Sequence, residues 1–407
     1  MLSRVPAGSS RHTAVVCALF TLQWLMACGG SGNPSSTTPV SNIKQRVFVS
    51  NQTRELLHIV DASTDTLSTF TISASGTPTT LLESNDKSTT VAYDSADHGF
   101  DVIDNATESQ KLTAALPDAA TSVALAPNGQ TGYAAIPTAI CAVTPPTPPP
   151  PPGAVAVVNL TNGNVTNCVA VANAQAIALS HNGNTLLAFS RNSNTAYLIN
   201  TQKLGQGAMA IADPGGQLDN PITAIFSSDD TTAYILSCGA ECGGTAANVT
   251  QLSVASSALG TSVSVAAARE GLLSGSTLYV AGSNGGSGSL EVIDASSMTV
   301  QKTVAISDGV HDTMALGANG QLFVGARSCS NTAQGCLSIF NTGSGAVKFS
   351  PPNPSGDDIT GIEPIPNRTV VYVCEGGEVI IYDTGTDAPQ SRQFDIVGTA
   401  FDAREVF

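Results

Sequence analysis

Side chains able to do chemistry are few in this sequence and widely scattered. Of the five histidines, His58 falls within a strand-like run and His181 in a turn, both ordinary structural places, while His311 is followed directly by Asp312. Three charged doublets stand out: Arg269-Glu270, His311-Asp312 and Asp357-Asp358. Gathered at one place, such groups could hold a cation or a polar ligand through oxygen ligands. The plainer account is a set of solvated charges. No Gly-x-Ser-x-Gly elbow, phosphate loop or Cys-x-x-Cys-His haem site is present.

The N-terminus bears on the compartment in which the cysteines would react. Arg4 and Arg11, with no acidic residue, precede an apolar run from Thr13 to Leu25. That is the pattern of a secretory signal, and the run is shorter than the ~20 residues of a membrane span. It ends in Leu25-Met26-Ala27-Cys28, which resembles the bacterial lipobox. The resemblance implies that residues 1–27 are a signal peptide and that Cys28 becomes a lipidated mature N-terminus. Gly29, rather than Asp, implies export to the outer membrane. Residues 28–42, rich in Gly, Ser and Pro, read as a flexible tether, and 43–407 as the folded domain. The expected location is therefore the bacterial cell envelope, with the lipid bilayer as a partner through the anchor.

The whole chain carries 16 basic and 31 acidic residues; without Arg4 and Arg11 the balance is 14 against 31, or −17. Such acidity argues against nucleic acid as a partner. The single tryptophan, Trp24, lies in the signal segment, so a tryptophan-derived quinone is excluded from the mature protein. Seven cysteines lie beyond Cys28, and an exported chain is expected to oxidise them. Cys238 with Cys242, and Cys329 with Cys336, would each close a short irregular loop. Cys141 with Cys168 would tie the base of a proline-rich loop, leaving Cys374 buried and alone. A zinc site is poorly supported, since no second cysteine pair or His cluster accompanies Cys238 and Cys242.

The elements that must position these residues repeat. Eight runs alternate apolar or aromatic residues with small or polar ones, among them Arg46–Ser50, Thr131–Ala135, Thr232–Leu236 and Thr277–Val280. A second strand follows each and ends on Asp or Asn, as at Asp61, Asp104, Asn159, Asn200, Asp294, Asn341 and Asp383; the fifth unit departs, with Val254-Ala255. These residues are turn formers first, because their side chains bond the backbone two residues on. A third strand and another apolar run complete each unit, often through an Asn-Gly pair whose two positions both accept positive φ. No convincing amphipathic helix appears.

Ser276 to Asp294 is the plainest copy of the unit. Its Tyr-Val-Ala-Gly-Ser-Asn core and Val-Ile-Asp strand end resemble the YVTN-type repeat, which occurs also in lactonase-like and quinoprotein-dehydrogenase-like propellers. The resemblance spans about Val47 to Phe407 and implies an all-β fold: a single β-propeller of four-stranded antiparallel blades. The inventory gives eight blades, against the seven usual among the families resembled. The first unit lacks an inner strand, and the tail Ile396–Arg404 would supply it and close the ring.

Departures from a repeat carry more functional information than the repeat itself. The third unit inserts residues 137–153 with their polyproline run, the fifth Cys238–Cys242, the seventh Arg327–Gly335, and Gly205–Asn220 joins the fourth blade to the fifth. All four belong on one face of the disc. The charged doublets open inner strands at that same face, at the mouth of the central channel. Two readings follow. One is a monomeric, lipid-anchored binding or scaffold module for a protein or glycan, without a cofactor. The other, implied by the lactonase-like resemblance, is a hydrolase with a divalent cation in the funnel. The scarcity of histidine favours the first.

Overall fold

The computed structural model describes residues 40–141, 151–331 and 333–406. Cys28, the signal segment and most of the polyproline run lie outside them. Among the described residues, 32 strands form eight four-stranded antiparallel sheets. In seven sheets the strands follow chain order. In the eighth, Ala400–Val406 pairs with Arg46–Asn51, ahead of Leu56–Asp61 and Thr66–Ser73. The last strand of the chain is thus the inner strand of the first blade, so the ring closes by hydrogen bonding its two ends. The eight-blade expectation holds, and closure uses residues slightly later than the tail first marked out.

Burial explains why these segments are strands in this order. The second and third strands of each blade are almost wholly covered, as in Thr131–Ile136 and Ala154–Asn159. The fourth strands face solvent, and Thr66–Ser73 buries Ile72 alone. Apolar clusters form between blades rather than within them. Val47, Val49 and Val60 of the first blade pack with Tyr372, Val379 and Phe394 of the eighth, so the closing seam is as well filled as the others. Removing such side chains from water is the main favourable contribution to the fold.

All seven expected Asp or Asn turns form. Asp61, Asp104, Asn159, Asn200, Asp294, Asn341 and Asp383 each accept the backbone N–H two residues on. In the fifth blade Ser253, not Val254-Ala255, takes the register position, opposite Thr232 just as Asp294 lies opposite Thr277. The Asn-Gly turns differ from expectation in two of three cases. Gly129 and Gly183 have positive φ while Asn128 and Asn182 do not. The N–H of Gly129 bonds Ala126 O and the N–H of Ala126 bonds Thr131 O, so the loop is a turn ending in a left-handed glycine rather than a two-residue hairpin. Only Asn319-Gly320 has both residues at positive φ. The Gly205–Asn220 link is also less irregular than the sequence suggests: Met209–Ala210 forms the short fourth strand of the fourth blade.

Candidate functional site

In an up-and-down blade, the connection after the second strand and the connection to the next blade leave by the same face. The proline-rich insertion, the two cysteine loops and the link after the fourth blade are all connections of these kinds. All three expected disulfides form at this face. Cys141–Cys168 has a Cα separation of 5.4 Å, Cys238–Cys242 5.6 Å and Cys329–Cys336 5.8 Å. Cys374 is free and buried, and desolvation pushes its thiol well above the ordinary range. The fifth-blade loop winds into a short 3₁₀ turn at Gly239–Cys242. Asp219 holds its far end by accepting the N–H groups of Thr245 and Ala246, both at 2.8 Å.

The inner strands start at this face, and their first residues ring the channel mouth. Four of the six expected funnel residues meet there. Arg269, Glu270, His311 and Asp312 line one cavity of about 330 Å3, with Gln175 and Ile222 across from them. Asp357 and Asp358 do not line it. Asp358 is exposed and accepts the Ser328 N–H at 2.6 Å, clipping the eighth blade to the seventh-blade cysteine loop. Asp357 faces the other way and accepts the Asn353 N–H at 2.6 Å. Consecutive side chains entering a strand point to opposite sides, which separates the pair.

Electrostatics distinguish the four. His311 is fully buried, its Nε2 lies 3.0 Å from Ser307 O, and its Nδ1 has no partner. Desolvation lowers its pKa to about 4, so the ring is neutral at neutral pH and serves as wall and strut. Desolvation raises the Glu270 carboxyl to about 7, with a further push from Asp312. Asp312 is itself raised by desolvation, although it is ion-paired to Arg327. Glu270 can therefore exchange a proton near neutral pH, and the hydroxyl side chains lining the same cavity are those of Thr121, Ser122 and Thr223. No group of three His, Cys, Asp or Glu side chains among the described residues is arranged to hold a metal ion. The two other histidines singled out are structural. His58 bonds Asn51 across its hairpin at 3.1 Å, and His181 meets Asp230 at 2.8 Å, joining the turns of adjacent blades.

The sequence did not point to Glu241, Gln175 or Arg191. Glu241 reaches from the cysteine loop to accept the Ser283 N–H of the sixth blade at 2.9 Å. Burial raises its pKa. It lines two cavities beside the funnel, one of them shared with Arg269, which also lines the funnel. One signal was available for Arg191: it is one of only 16 basic residues and follows a second strand.

No protein-family model matches the chain, and no curated protein does. Solved structures do resemble it. "Dihydro-heme d1 dehydrogenase NirN in complex with DHE" aligns with a TM-score of 0.69 at 10% identity, over 91% of this chain and 77% of that one. The Cps50 (Swd1) β-propeller domain of Myceliophteria thermophila aligns with a TM-score of 0.55 at 12% identity, over 76% of this chain and 97% of the other. At such identities the likeness concerns fold. The chain is an eight-bladed β-propeller with four-stranded antiparallel blades.

Proposed function

We propose that the protein is an exported, lipid-anchored binding or scaffold module that engages a protein or glycan through its loop-bearing face. The observation that carries this reading is the segregation of specialised features. All three disulfides, the four irregular connections and the cavities at the channel mouth belong to one face, whereas the other face carries short turns of the repeat. Disulfides that brace loops rather than core fit a surface that must keep its shape without a ligand. One structural neighbour is described in complex with a ligand, DHE, which supports ligand binding by this architecture in general. The Tyr-Val-Ala-Gly-Ser-Asn core further supports kinship with YVTN-type repeats, and Leu25–Cys28 supports the anchor.

The test uses the full chain expressed in a bacterium. Acylation of Cys28, seen by mass spectrometry, and loss of membrane association in Cys28→Ala are the expected results. An unmodified Cys28 with unchanged partitioning would refute the anchor. For the face, detergent-purified protein is applied to a glycan array and to defined envelope proteins. Replacing residues 238–247 by a short hairpin should abolish the strongest signal. A signal unaffected by that replacement and by matching replacement of the seventh-blade loop would refute binding through this face.

A further inference from the structure

Beside the funnel, the connections after the second strands of the fourth and fifth blades enclose a separate cavity of about 300 Å3. It shares Gln175, Ile222 and Arg269 with the funnel cavity. Its charge runs against that of the molecule. In a chain with 16 basic and 31 acidic residues, Arg191 and Arg269 both open onto it, and the one carboxylate in its lining is Glu241.

Both guanidiniums have donors to spare. Arg191 is exposed and makes no side-chain hydrogen bond or ion pair among the described residues. Arg269 directs Nη1 at Cys242 Sγ, 3.6 Å away. Its Nε is buried without a hydrogen-bond partner, 3.7 Å from Glu241 Oε1, which is likewise unsatisfied. That separation is too long for a hydrogen bond. Both atoms are buried, so a guest acceptor meets the outer Nη2, which makes no hydrogen bond among the described residues; a guanidinium offers five donors in a fork that suits carboxylate oxygens.

The rest of the lining narrows the guest. The amides of Asn192, Asn220 and Gln175 and the Ser190 hydroxyl supply both donors and acceptors, as neighbouring hydroxyl groups require. No aromatic side chain lines the cavity, so there is no platform on which an apolar ligand or a neutral sugar ring could stack. A volume of about 300 Å3 suits a single ring.

We infer that this cavity binds an acidic sugar, a uronate residue, with its carboxylate across Arg191 and Arg269 and its hydroxyls on the surrounding amides. The inference rests on the reading of the loop-bearing face as the binding face and names a ligand class for it.

The experiment is isothermal titration of the detergent-purified full chain with D-glucuronate, D-glucose and acetate. Glucuronate should bind more tightly than glucose or acetate by about tenfold or more, the scale of one charge-assisted contact, and its affinity should fall with added salt. Arg191→Ala and Arg269→Gln should each weaken glucuronate by about tenfold. Arg54→Ala, on the same face of the first blade, should leave it unchanged. Circular dichroism and melting temperature confirm that the variants fold, and Arg191, being exposed and unpaired, is the safer of the two. Equal binding of glucose and glucuronate, or equal effects of Arg191→Ala and Arg54→Ala, would overturn the inference. Absence of sugar binding alongside loop-dependent binding of another ligand would overturn it and leave the proposed face standing.

Discussion

Asp65 and Asp294 both sit in turns after a third strand, yet their surroundings give them different weight. Asp294 accepts the Ser296 N–H at 2.9 Å, and its hydrogen bonds with Ser296 and Ser297 hold its carboxyl below the ordinary range. Its carboxylate stays in water, so the turn can exchange that bond for a hydrated one. The side chain of Asp65 is 1% exposed and reaches from the first blade to the eighth. It accepts the Tyr372 hydroxyl at 2.5 Å and both Nη groups of Arg368, one of them at 2.8 Å. Removing one partner of a buried charge pair leaves the other desolvated and alone. Asp65→Ala should therefore cost about 3 kcal/mol in urea unfolding. Asp294→Ala should cost a small fraction of that, although the two residues occupy equivalent turns in sequence. Equal midpoints for the two variants would mean that the Asp65 network does not hold the ring shut.

At the scale of elements, the closing strand and the disulfides make separable contributions. A chain ending at Thr399 lacks Ala400–Val406, exposes the inner edge of Arg46–Asn51 and leaves the apolar seam between first and eighth blades open. An open propeller edge invites pairing with other chains. The truncated protein should elute as aggregate in size-exclusion chromatography and be digested rapidly by trypsin; a monomeric, resistant product would show that the seam holds without the strand. Among the disulfides, the loop-entropy argument ranks Cys141–Cys168, with 27 residues of separation, above Cys238–Cys242, with 4. Double Ser replacement should cost about 3.5 kcal/mol for the first and about 2 kcal/mol for the second, read from denaturant midpoints. Most of this architecture was legible in the sequence, because strand alternation and turn chemistry are local and each unit repeats them. The tail at Ile396–Arg404 could be paired with Arg46 simply because every other unit had four strands. The cavity beside the funnel was not legible. Gln175 and Arg191 come from the fourth blade, Glu241 from the fifth and Arg269 from the start of the sixth, so they meet only after the ring has formed, and the repeat marks neither Arg191 nor Glu241 by a recurring residue type. Asp357 and Asp358 show the converse: adjacency in sequence put them together, and strand geometry sent them apart.

The whole molecule concentrates buried carboxyls along its channel and seams, and this sets how its stability responds to pH. Glu83, Glu270 and Glu375 all have carboxyls raised to about 7, each chiefly by desolvation. For Glu83 the neighbouring Glu363 and Glu405 add to the rise against Lys87, and for Glu375 Asp357 and Glu378 do. A group whose folded pKa lies above its unfolded value stabilises fully below the unfolded value, and that contribution is lost as pH rises through the folded one. For Glu375, only 2% exposed, a carboxyl at about 7 instead of 4.5 corresponds to about 3 kcal/mol between the two limits. His311 works in the opposite sense. Its pKa, lowered to about 4, makes a contribution present above 6.5 that fades as pH falls toward 4. Asp61 and Asp104, held low in their turns, lose theirs only at still lower pH. A net charge of −15 adds self-repulsion as further carboxyls ionise. Between about pH 4.5 and 6.5 three carboxyls lose stability with rising pH while one imidazole gains it, so the maximum lies near pH 4.5, at the foot of the carboxyl limb. The melting temperature should therefore fall from about pH 4.5 to about 7, and Glu375→Gln, which keeps a partner for the Tyr382 hydroxyl at 2.8 Å, should flatten that limb while leaving the profile below pH 4.5 unchanged. A melting temperature that climbs steadily through neutrality, or a Glu375→Gln profile parallel to that of the wild type, would mean that these carboxyls are ionised without penalty in the folded ring.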